Sequence, residues 1–242
     1  MSGHDFSSIL PFVREHAAQA APRECCGVVI VRRGKLRYVP CKNSFDGKGD
    51  VFFLYPADYA AAEEQGAVVA IVHSHVNEAP VPSMADMVGI EATQLPWLIV
   101  NHPVGHFTVT EPSGYTAPLV GRPFVHGVLD CYALVRDWYA RERGLVLPDY
   151  PRDDHWWEKG HDLYRDHFAK EGFVEIEERD LQPGDGILMQ AASKVPNHAA
   201  IYLGDNLILH HVMHRLSSRD VWGGHWRKSA THYLRHPKAV AR

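Results

Sequence analysis

The sequence lacks the features that mark disulfide-rich, membrane-spanning and nucleic-acid-binding proteins. Its 242 residues include only 4 cysteines, too few for the disulfide framework of a small secreted domain. The longest apolar run, around residues 67–72, is far shorter than the ~20 residues of a membrane-spanning helix. The 25 Lys and Arg residues against 29 Asp and Glu residues give a net charge of −4, which argues against electrostatic binding of nucleic acid.

The N-terminus also lacks the basic segment and apolar run of a secretory signal. Cys25 and Cys26 are adjacent and are therefore poorly placed to bridge each other. We expect reduced thiols and synthesis in a cytoplasm, with delivery elsewhere by another route left open. What the chain does contain is 17 histidines, a residue type that ligates metals and transfers protons near neutral pH.

The hydrophobic pattern predicts two different domains, because the two halves share no pattern and a turn-rich stretch at residues 111–118 separates them. We expect an N-terminal domain at residues 1–112, a linker at 113–120 and a C-terminal domain at 121–242. Helical spacing predicts helices at 6–21, in the Ala/Glu-rich segment before Gly66, from Ser83 onward, at 130–143 and at 155–170. Strands are predicted at 27–31, 36–40, 67–75, 97–100, 106–110, 184–189, 199–203 and 207–212.

Two histidines at the end of a strand are the main chemical feature of the N-terminal half. The apolar run at residues 67–75 ends in His73 and His75, which share a face at the two-residue period of a strand. Asp86, at the start of a predicted helix, offers the third protein ligand that a catalytic zinc ion requires. Ser83 and Asp86 also have the spacing of a helix capping box, so that pair alone does not separate metal binding from capping.

A fourth polar residue, Glu24, comes just before another strand and supplies the carboxylate of a general base. The order Glu, His-x-His, seven residues, Ser-x-x-Asp resembles the JAMM (MPN+/Mov34) metallopeptidase motif. The resemblance implies a cytidine-deaminase-like α/β/α domain that cleaves peptide or isopeptide bonds. It also implies one Zn²⁺ on His73, His75 and Asp86. Glu24 would then be the general base, and Ser83 would help to bind the oxyanion.

A cysteine at a helix start is the main chemical feature of the C-terminal half. Asp130 suits the N-cap of the predicted helix, which places Cys131 at the positive end of the helix dipole. The dipole favours the thiolate, the nucleophilic form of the side chain. A free cysteine is also commonly a small buried apolar residue, and its position alone leaves both interpretations open.

A predicted hairpin offers histidines as the base for this thiol. A three-residue turn around Gly204 would place His198 directly opposite His210, on the same face of the sheet. A two-residue turn at Gly204 and Asp205 would place His211 there instead. One histidine would then act as the base and the second would orient it, although two facing histidines also suit a solvated pair.

The same residues resemble the NlpC/P60 family of cysteine peptidases. The matching motifs are Asp130-Cys131, the Pro-Gly-Asp sequence at 183–185 and the segment from His198 to Gly204. The family's third polar residue comes twelve positions after the histidine, which selects His210. The resemblance implies a papain-like domain with Cys131 as nucleophile, His198 as base and His210 as the orienting residue. Such enzymes cut peptidoglycan stem peptides.

A JAMM domain followed by an NlpC/P60 domain is similar to the tail assembly proteins of lambda-like tailed phages, the tail tip K type. The resemblance implies an α+β protein of two domains with a zinc-dependent (iso)peptidase and a cysteine endopeptidase. The implied partners are peptidoglycan stem peptides and tail tip proteins, with no nucleic acid and no membrane span. The implied locations are the host cytoplasm during assembly, the virion tail, and the periplasm on entry.

Three alternatives remain open at the level of sequence. One is a prophage or bacterial peptidoglycan hydrolase with no role in a tail. Another is a structural tail component whose active sites are vestigial, and a third is an isopeptidase that removes ubiquitin-like tags. The sequence does not name the substrate of the JAMM half, the host or the oligomeric state.

Overall fold

The computed structural model of the chain describes residues 4–45 and 52–239. The chain divides into two compact units, one ending at Thr116 and the other beginning at Ala117. Each unit combines helices with one β-sheet, which confirms the α+β class. The division falls inside the expected linker, and the limits of the linker stay a prediction. None of the described helices has the length and apolar character needed to cross a bilayer.

The N-terminal unit contains a five-stranded sheet in the order β2-β1-β3-β4-β5, in which only β3 and β4 run parallel. Its strands are β1 Cys26–Arg32, β2 Lys35–Cys41, β3 Ala67–Val76, β4 Trp97–His102 and β5 Phe107–Thr110. Its helices are α1 Leu10–Ala20, α2 Pro56–Glu63 and α3 Met84–Thr93.

Helices cover both faces of this sheet because its central strands are buried on both sides. Alternate side chains of β1 and β3, such as Val29 and Val72, pack on one face with the apolar side of α1. Their neighbours, such as Ile71, pack on the other face with Ala62 of α2 and Ile90 of α3. The result is the α/β/α arrangement expected for this half, and it places the end of β3 beside the start of α3.

The C-terminal unit contains a six-stranded antiparallel sheet in the order β10-β9-β8-β7-β11-β6. Its strands are β6 Val174–Ile176, β7 Gly186–Met189, β8 His198–Gly204, β9 Leu207–His210, β10 Ser218–Val221 and β11 Ala230–Arg235. Its helices are α4 Cys131–Arg143, α5 Leu163–His167 and α6 Gly224–Ser229.

Helix α4 packs its apolar side on β8 and β9 and so fixes the position of its own N-terminus. Leu134, Trp138 and Tyr139 share one buried cluster with Ile201 and Leu209. The helix begins after Asp130, whose side chain accepts a hydrogen bond from the backbone of residue 133, and it ends at Gly144 in the left-handed conformation. Both ends lie where the sequence predicts them.

The helix predicted over 155–170 is wrong for most of its length. Trp156–Glu158 forms one turn of 3₁₀-helix, and regular α-helix covers only the five residues of α5. Gly160 lies between them with φ +85°, a left-handed conformation that a continuous right-handed helix does not contain. Short strands β6, β10 and β11 escaped prediction because runs of three to six residues carry little periodicity.

The predicted register of the β8–β9 hairpin is also wrong. His210 pairs with Ala200 rather than with His198, because the turn consists of two residues, Asp205 and Asn206, both with positive φ. A register shift between Tyr202 and Gly204 adds one residue to β8. His198 and His210 nevertheless share a face, since residues 198 and 200 lie on the same side of the strand, and they approach each other diagonally.

Candidate metal and thiol sites

Three of the predicted metal ligands converge at the end of β3. The Nε2 atoms of His73 and His75 are 3.1 Å apart. Asp86 places Oδ1 at 3.4 Å from His73 Nε2 and Oδ2 at 3.4 Å from His75 Nε2. Two atoms bound at 2.0–2.1 Å to one tetrahedral zinc ion lie about 3.3 Å apart. The spacing and the nitrogen and oxygen donors therefore fit a zinc ion.

The surroundings of the two imidazoles aim their Nε2 atoms at this point. Nδ1 of His75 lies 2.9 Å from the carbonyl oxygen of Ala79. The carbonyl can only accept, so His75 carries a proton on Nδ1, and Nε2 is the nitrogen that would bind a metal. The ring of His73 stacks on Phe52 at 4.5 Å and meets the edge of Trp97 at 5.5 Å. Ring packing thus restricts His73, and a hydrogen bond restricts His75.

Glu24 lies beside the two histidines. Its carboxylate and their ring nitrogens lie within 4.8 Å of one another, and all three side chains are buried. The position follows from pairing between strands, since the Cys25 backbone N–H donates to Ser74 Oγ at 2.8 Å. A buried carboxylate next to a potential metal site has the location of a general base for water.

Ser83 and Asp86 form the capping box that their spacing allows. Ser83 N–H donates to Asp86 Oδ2 at 2.7 Å, and Asp86 N–H donates to Ser83 Oγ at 3.1 Å. The cap orients the carboxylate toward the histidines, so capping and metal binding are compatible. Ser83 itself is exposed, which leaves its hydroxyl accessible to a bound group.

Charge in this cluster is balanced around the Asp86 carboxylate. Burial opposes its ionisation, but hydrogen bonds from His73 and His75 hold the pKa of Asp86 well below its usual range. Burial lowers the pKa of His75, yet its contacts with Asp86 and the Ala79 carbonyl raise it overall to about 9. Burial lowers the pKa of the fully enclosed His73.

In the C-terminal unit, Cys131 occupies the first turn of α4 and faces a cavity of about 400 Å³. His198 lines the same cavity. Within the described ranges, the side chain that hydrogen-bonds the Cys131 thiol is Tyr164, whose hydroxyl lies 3.3 Å from Sγ. Aromatic side chains form much of the cavity wall, among them Phe124, Tyr132, Tyr150, Trp156, Trp157 and Phe168.

The two predicted histidines of the hairpin form a buried pair. His198 Nε2 lies 3.1 Å from His210 Nδ1, and the other ring nitrogen of His210 lies 3.1 Å from Asp220 Oδ2. The edge of the Trp226 indole packs against the His210 ring at 4.5 Å. His211 follows the last residue of β9, lines the cavity and contacts the Phe124 ring. The structure thus pairs His198 with His210 rather than with His211.

Both the thiol and its proposed base are neutral at physiological pH. Burial and the nearby Asp130 carboxylate raise the pKa of the Cys131 thiol to about 11, opposite in direction to the effect expected at a helix N-terminus. Burial and the neighbouring histidines lower the pKa of His198 to about 3. A neutral imidazole can accept a proton from a neutral thiol, whereas a resting ion pair is not favoured here.

An ion pair that the sequence did not reveal holds the start of α4. Arg152 donates to Asp130 through Nε at 2.6 Å and through Nη2 at 3.1 Å. The two side chains are only 6% and 3% exposed. Arg152 also donates to the carbonyl oxygen of Gly127 at 3.2 Å. The N-cap beside Cys131 is therefore held by a two-point contact.

Sequence reasoning missed three side chains of the thiol site: Tyr164, Arg152 and Asp220. Each lies more than eight residues from its partner in the chain, and none belongs to a recognised motif. Asp220 is on the short strand β10, for which no periodicity was evident. The NlpC/P60 motifs that the sequence shows end at His210, before Asp220.

Comparisons with known proteins support both domains. Residues 8–111 match the family of prokaryotic homologs of the JAB domain, and residues 121–235 match the NlpC/P60 family. A solved JAB1/MPN domain protein from Archaeoglobus fulgidus is 17% identical, with a TM-score of 0.30, and the match covers 46% of this chain and 90% of that one.

Two curated relatives match across both domains. The tail tip assembly protein K of Escherichia phage N15 is 41% identical over 226 residues, which is 93% of this chain and 92% of the relative. The tail tip assembly protein K of Escherichia phage lambda is 40% identical over 183 residues, 76% of this chain and 89% of the relative. The resemblances that the motifs indicated are thereby confirmed. The chain belongs to the family of phage tail tip assembly proteins K, with an N-terminal JAB-type domain and a C-terminal NlpC/P60 domain.

Proposed function

We propose that this protein acts in phage tail assembly and carries two hydrolytic centres. The C-terminal centre is a cysteine endopeptidase that cleaves peptidoglycan stem peptides, and the N-terminal centre is a zinc-dependent (iso)peptidase. The observation that carries the proposal is that Cys131 and His198 line one cavity and that His198 is paired with His210 behind it. These three residues are the chemical minimum for acyl transfer through a thioester.

The cysteine reaction begins from a neutral pair. His198 removes the thiol proton of Cys131 as sulfur attacks the carbonyl carbon of the stem peptide, which forms a carbon–sulfur bond. His198 then returns that proton to the amine nitrogen as the carbon–nitrogen bond breaks. Water, deprotonated by the same imidazole, hydrolyses the thioester and regenerates the thiol. The N-terminus of α4 presents backbone N–H groups and a positive dipole to the oxyanion.

At the N-terminal centre, His73, His75 and Asp86 would hold zinc. When bound, zinc supplies Lewis acidity to a water molecule and to the substrate carbonyl. Glu24 would accept the proton of the attacking water and pass it to the leaving amine, a task that suits its buried position next to both histidines. Ser83, exposed at the start of α3, would donate to the oxyanion.

The tail context comes from the relatives, which are named tail tip assembly proteins. We infer that the partners are other tail tip proteins and the peptidoglycan of the host. The protein would associate with the tail in the host cytoplasm and act on stem peptides in the periplasm at entry. Cleavage of cell wall by a tail component would give the phage a route through the peptidoglycan layer.

Mass spectrometry of muropeptides tests this proposal directly. Purified peptidoglycan is incubated with wild-type protein, Cys131→Ala, Glu24→Gln and the control Cys41→Ala, whose buried thiol lies in the other unit. We expect wild type, Glu24→Gln and Cys41→Ala to release stem-peptide fragments and Cys131→Ala to release none. Equal release by wild type and Cys131→Ala would exclude the cysteine peptidase.

A structural tail component with inactive sites is the second candidate, since the names of the relatives describe assembly rather than hydrolysis. Against it stands the complete set of reactive side chains in both units. Complementation of a phage that lacks the protein separates the two functions. If the role is structural, Cys131→Ala would give tails of wild-type morphology and infectious phage. Loss of infectivity with intact tails would point to the catalytic role instead.

A further inference from the structure

The catalytic histidine pair continues to a carboxylate that the resemblance to NlpC/P60 enzymes does not assign. Asp220 lies on β10 two residues beyond Ser218, which pairs with His210 in the sheet. Its Oδ2 atom is 3.1 Å from Nε2 of His210. The His210 side chain is fully buried, whereas that of Asp220 is 20% exposed. Asp220 therefore closes the solvent side of the pair.

Asp220 is ionised and held in place. Ser218 Oγ donates to Asp220 Oδ1 at 2.9 Å, and Arg215 Nη1 lies 3.2 Å from Oδ2. Burial opposes ionisation, but hydrogen bonds from His210, Ser218 and Arg215 lower the pKa of Asp220. An ionised carboxylate can only accept hydrogen bonds, so Asp220 can act only as an acceptor toward His210.

That role determines where both histidines carry their single protons. Because the negative Asp220 carboxylate lies 3.1 Å from Nε2, it favours a neutral His210 with its proton on Nε2, which leaves Nδ1 with a lone pair. His210 Nδ1 then accepts from His198, so the proton of His198 is on Nε2. The remaining nitrogen of His198, Nδ1, is left with the lone pair that a general base requires.

We propose that Asp220 is a positioning residue that sets the tautomers of His210 and His198 and thereby makes His198 Nδ1 the base for Cys131. The inference rests on the proposed function of Cys131 and His198 and extends it by one residue. Asp220 acts through its carboxylate–imidazole contact with His210 and the hydrogen bond between His210 and His198. The buried His210 ring, packed on Trp226, has little freedom to compensate by rotation.

Replacement of Asp220 by Asn tests this role, because it changes the hydrogen-bonding group beside His210 and keeps the size of the side chain. An amide can donate to Nε2 of His210, which moves the His210 proton to Nδ1 and makes that atom the donor to His198 Nε2. His198 would then carry its proton on Nδ1 and could not accept one from the thiol. An acid that holds an imidazole in the working tautomer can influence the rate by orders of magnitude.

Long-range ¹H–¹⁵N NMR of histidine-labelled protein reads the tautomers without any substrate. Signals are assigned from those lost in His198→Gln and His210→Gln. We expect both rings as Nε2–H tautomers in wild type at pH 7 and His198 as the Nδ1–H tautomer in Asp220→Asn. Asp220→Glu, which keeps a carboxylate, should restore the wild-type signals. The control Asp205→Asn, in the hairpin turn, should leave them unchanged.

The rate at which iodoacetamide alkylates Cys131 provides a second test of the proposal. The rate is followed by peptide mass spectrometry between pH 6 and 9. The loss of the lone pair on His198 Nδ1 should slow alkylation of Asp220→Asn at pH 7 about ten-fold, and His198→Gln should slow it to the same extent. Asp205→Asn should react like wild type. Each variant is checked by circular dichroism so that only folded protein is compared.

The outcomes separate the inference from the proposed function. Wild-type tautomers and wild-type alkylation in folded Asp220→Asn, with slow alkylation in His198→Gln, would overturn the role of Asp220 alone. Wild-type alkylation in His198→Gln would instead overturn His198 as the base. Altered tautomers in Asp220→Asn together with restoration in Asp220→Glu would establish the positioning role.

Discussion

At the scale of single residues, the protonation of the thiol site differs from what its position on a helix suggests. The dipole of α4 favours a thiolate at Cys131, but burial and Asp130 raise the pKa of the thiol to about 11. The Tyr164 hydroxyl works in the other direction and lowers this pKa. The balance keeps Cys131 a neutral thiol at rest, and under the proposed function it would become reactive when His198 accepts its proton.

Tyr164→Phe tests the contribution of that hydroxyl. Loss of one hydrogen bond of about 1 kcal/mol would raise the pKa of Cys131 and lower its thiolate population about five-fold. Alkylation of Cys131 at pH 8 should slow by the same factor in the variant. Tyr150→Phe, which removes a hydroxyl bonded to Glu171 rather than to sulfur, is the matched control. An unchanged rate in Tyr164→Phe would show that the hydroxyl does not stabilise the thiolate.

The neutral state of His198 makes the stability of the protein dependent on pH. Its pKa is about 3 in the folded protein against an ordinary value of 6.5. The unfolded chain therefore binds a proton that the folded chain excludes, so stability is complete above pH 6.5 and falls as the pH falls toward 3. At pH 5 the loss from this one group is about 2 kcal/mol.

Urea unfolding at pH 7 and pH 5 measures that loss. Tryptophan fluorescence reports mainly on the C-terminal unit, which holds five of the 6 tryptophans. His198→Gln should reduce the difference in unfolding free energy between the two pH values by about 2 kcal/mol. His161→Gln, at an exposed position, should leave it unchanged. The same pH dependence in both variants would contradict a buried, neutral His198.

At the scale of elements, one buried ion pair connects the loop before α5 to the start of α4. Asp130 accepts from Arg152 and from the backbone N–H groups of Gly127 and Ala133. Removal of one partner leaves a buried charge without compensation, which typically costs about 3–5 kcal/mol. The position of Cys131 thus depends on a residue 22 positions beyond the helix cap.

Arg152→Met should therefore lower the free energy of unfolding of the C-terminal unit by about 3–5 kcal/mol in urea titrations. Arg141→Met is the matched control, because Arg141 is 31% exposed and lies 3.9 Å from Asp137. An exposed pair of this kind contributes about 1 kcal/mol or less. Equal destabilisation by the two substitutions would mean that burial does not determine how much the Arg152 contact contributes to the free energy of unfolding.

The junction of β3 with α3 predicts a zinc site that can be measured without a substrate. His73→Ala and Asp86→Ala should each abolish the one equivalent of zinc expected by elemental analysis after zinc-supplemented expression, because two protein ligands hold zinc poorly. The thermal stabilisation by added zinc should be lost with it. His106→Ala, at an exposed position, should retain both. Absence of zinc from wild-type protein would exclude the site.

At the scale of the whole molecule, the two centres belong to separate compact units, each with its own sheet and core. We expect them to operate independently. Cys131→Ala should keep the zinc content of wild type, and His73→Ala should keep the alkylation rate of Cys131. A change in either measurement caused by the substitution in the other unit would reveal coupling between the centres.

The sequence by itself determined the two families and the residue types of both centres, because those features are local. His73 and His75 share a face at the period of a strand, Ser83 and Asp86 lie one helical turn apart, and Cys131 follows its own helix cap. Each relation depends on a few neighbouring residues, so spacing along the chain was sufficient to predict it.

Only the tertiary structure decided how the hairpin histidines meet and which groups surround them. The β8–β9 register depends on a two-residue turn and an irregularity in β8, so the direct opposition of His198 and His210 was wrong although their contact was correct. Tyr164, Arg152 and Asp220 reach the thiol site from distant segments. Burial then sets the protonation of Cys131 and His198, because the cost of a charge depends on how completely the fold removes water from it.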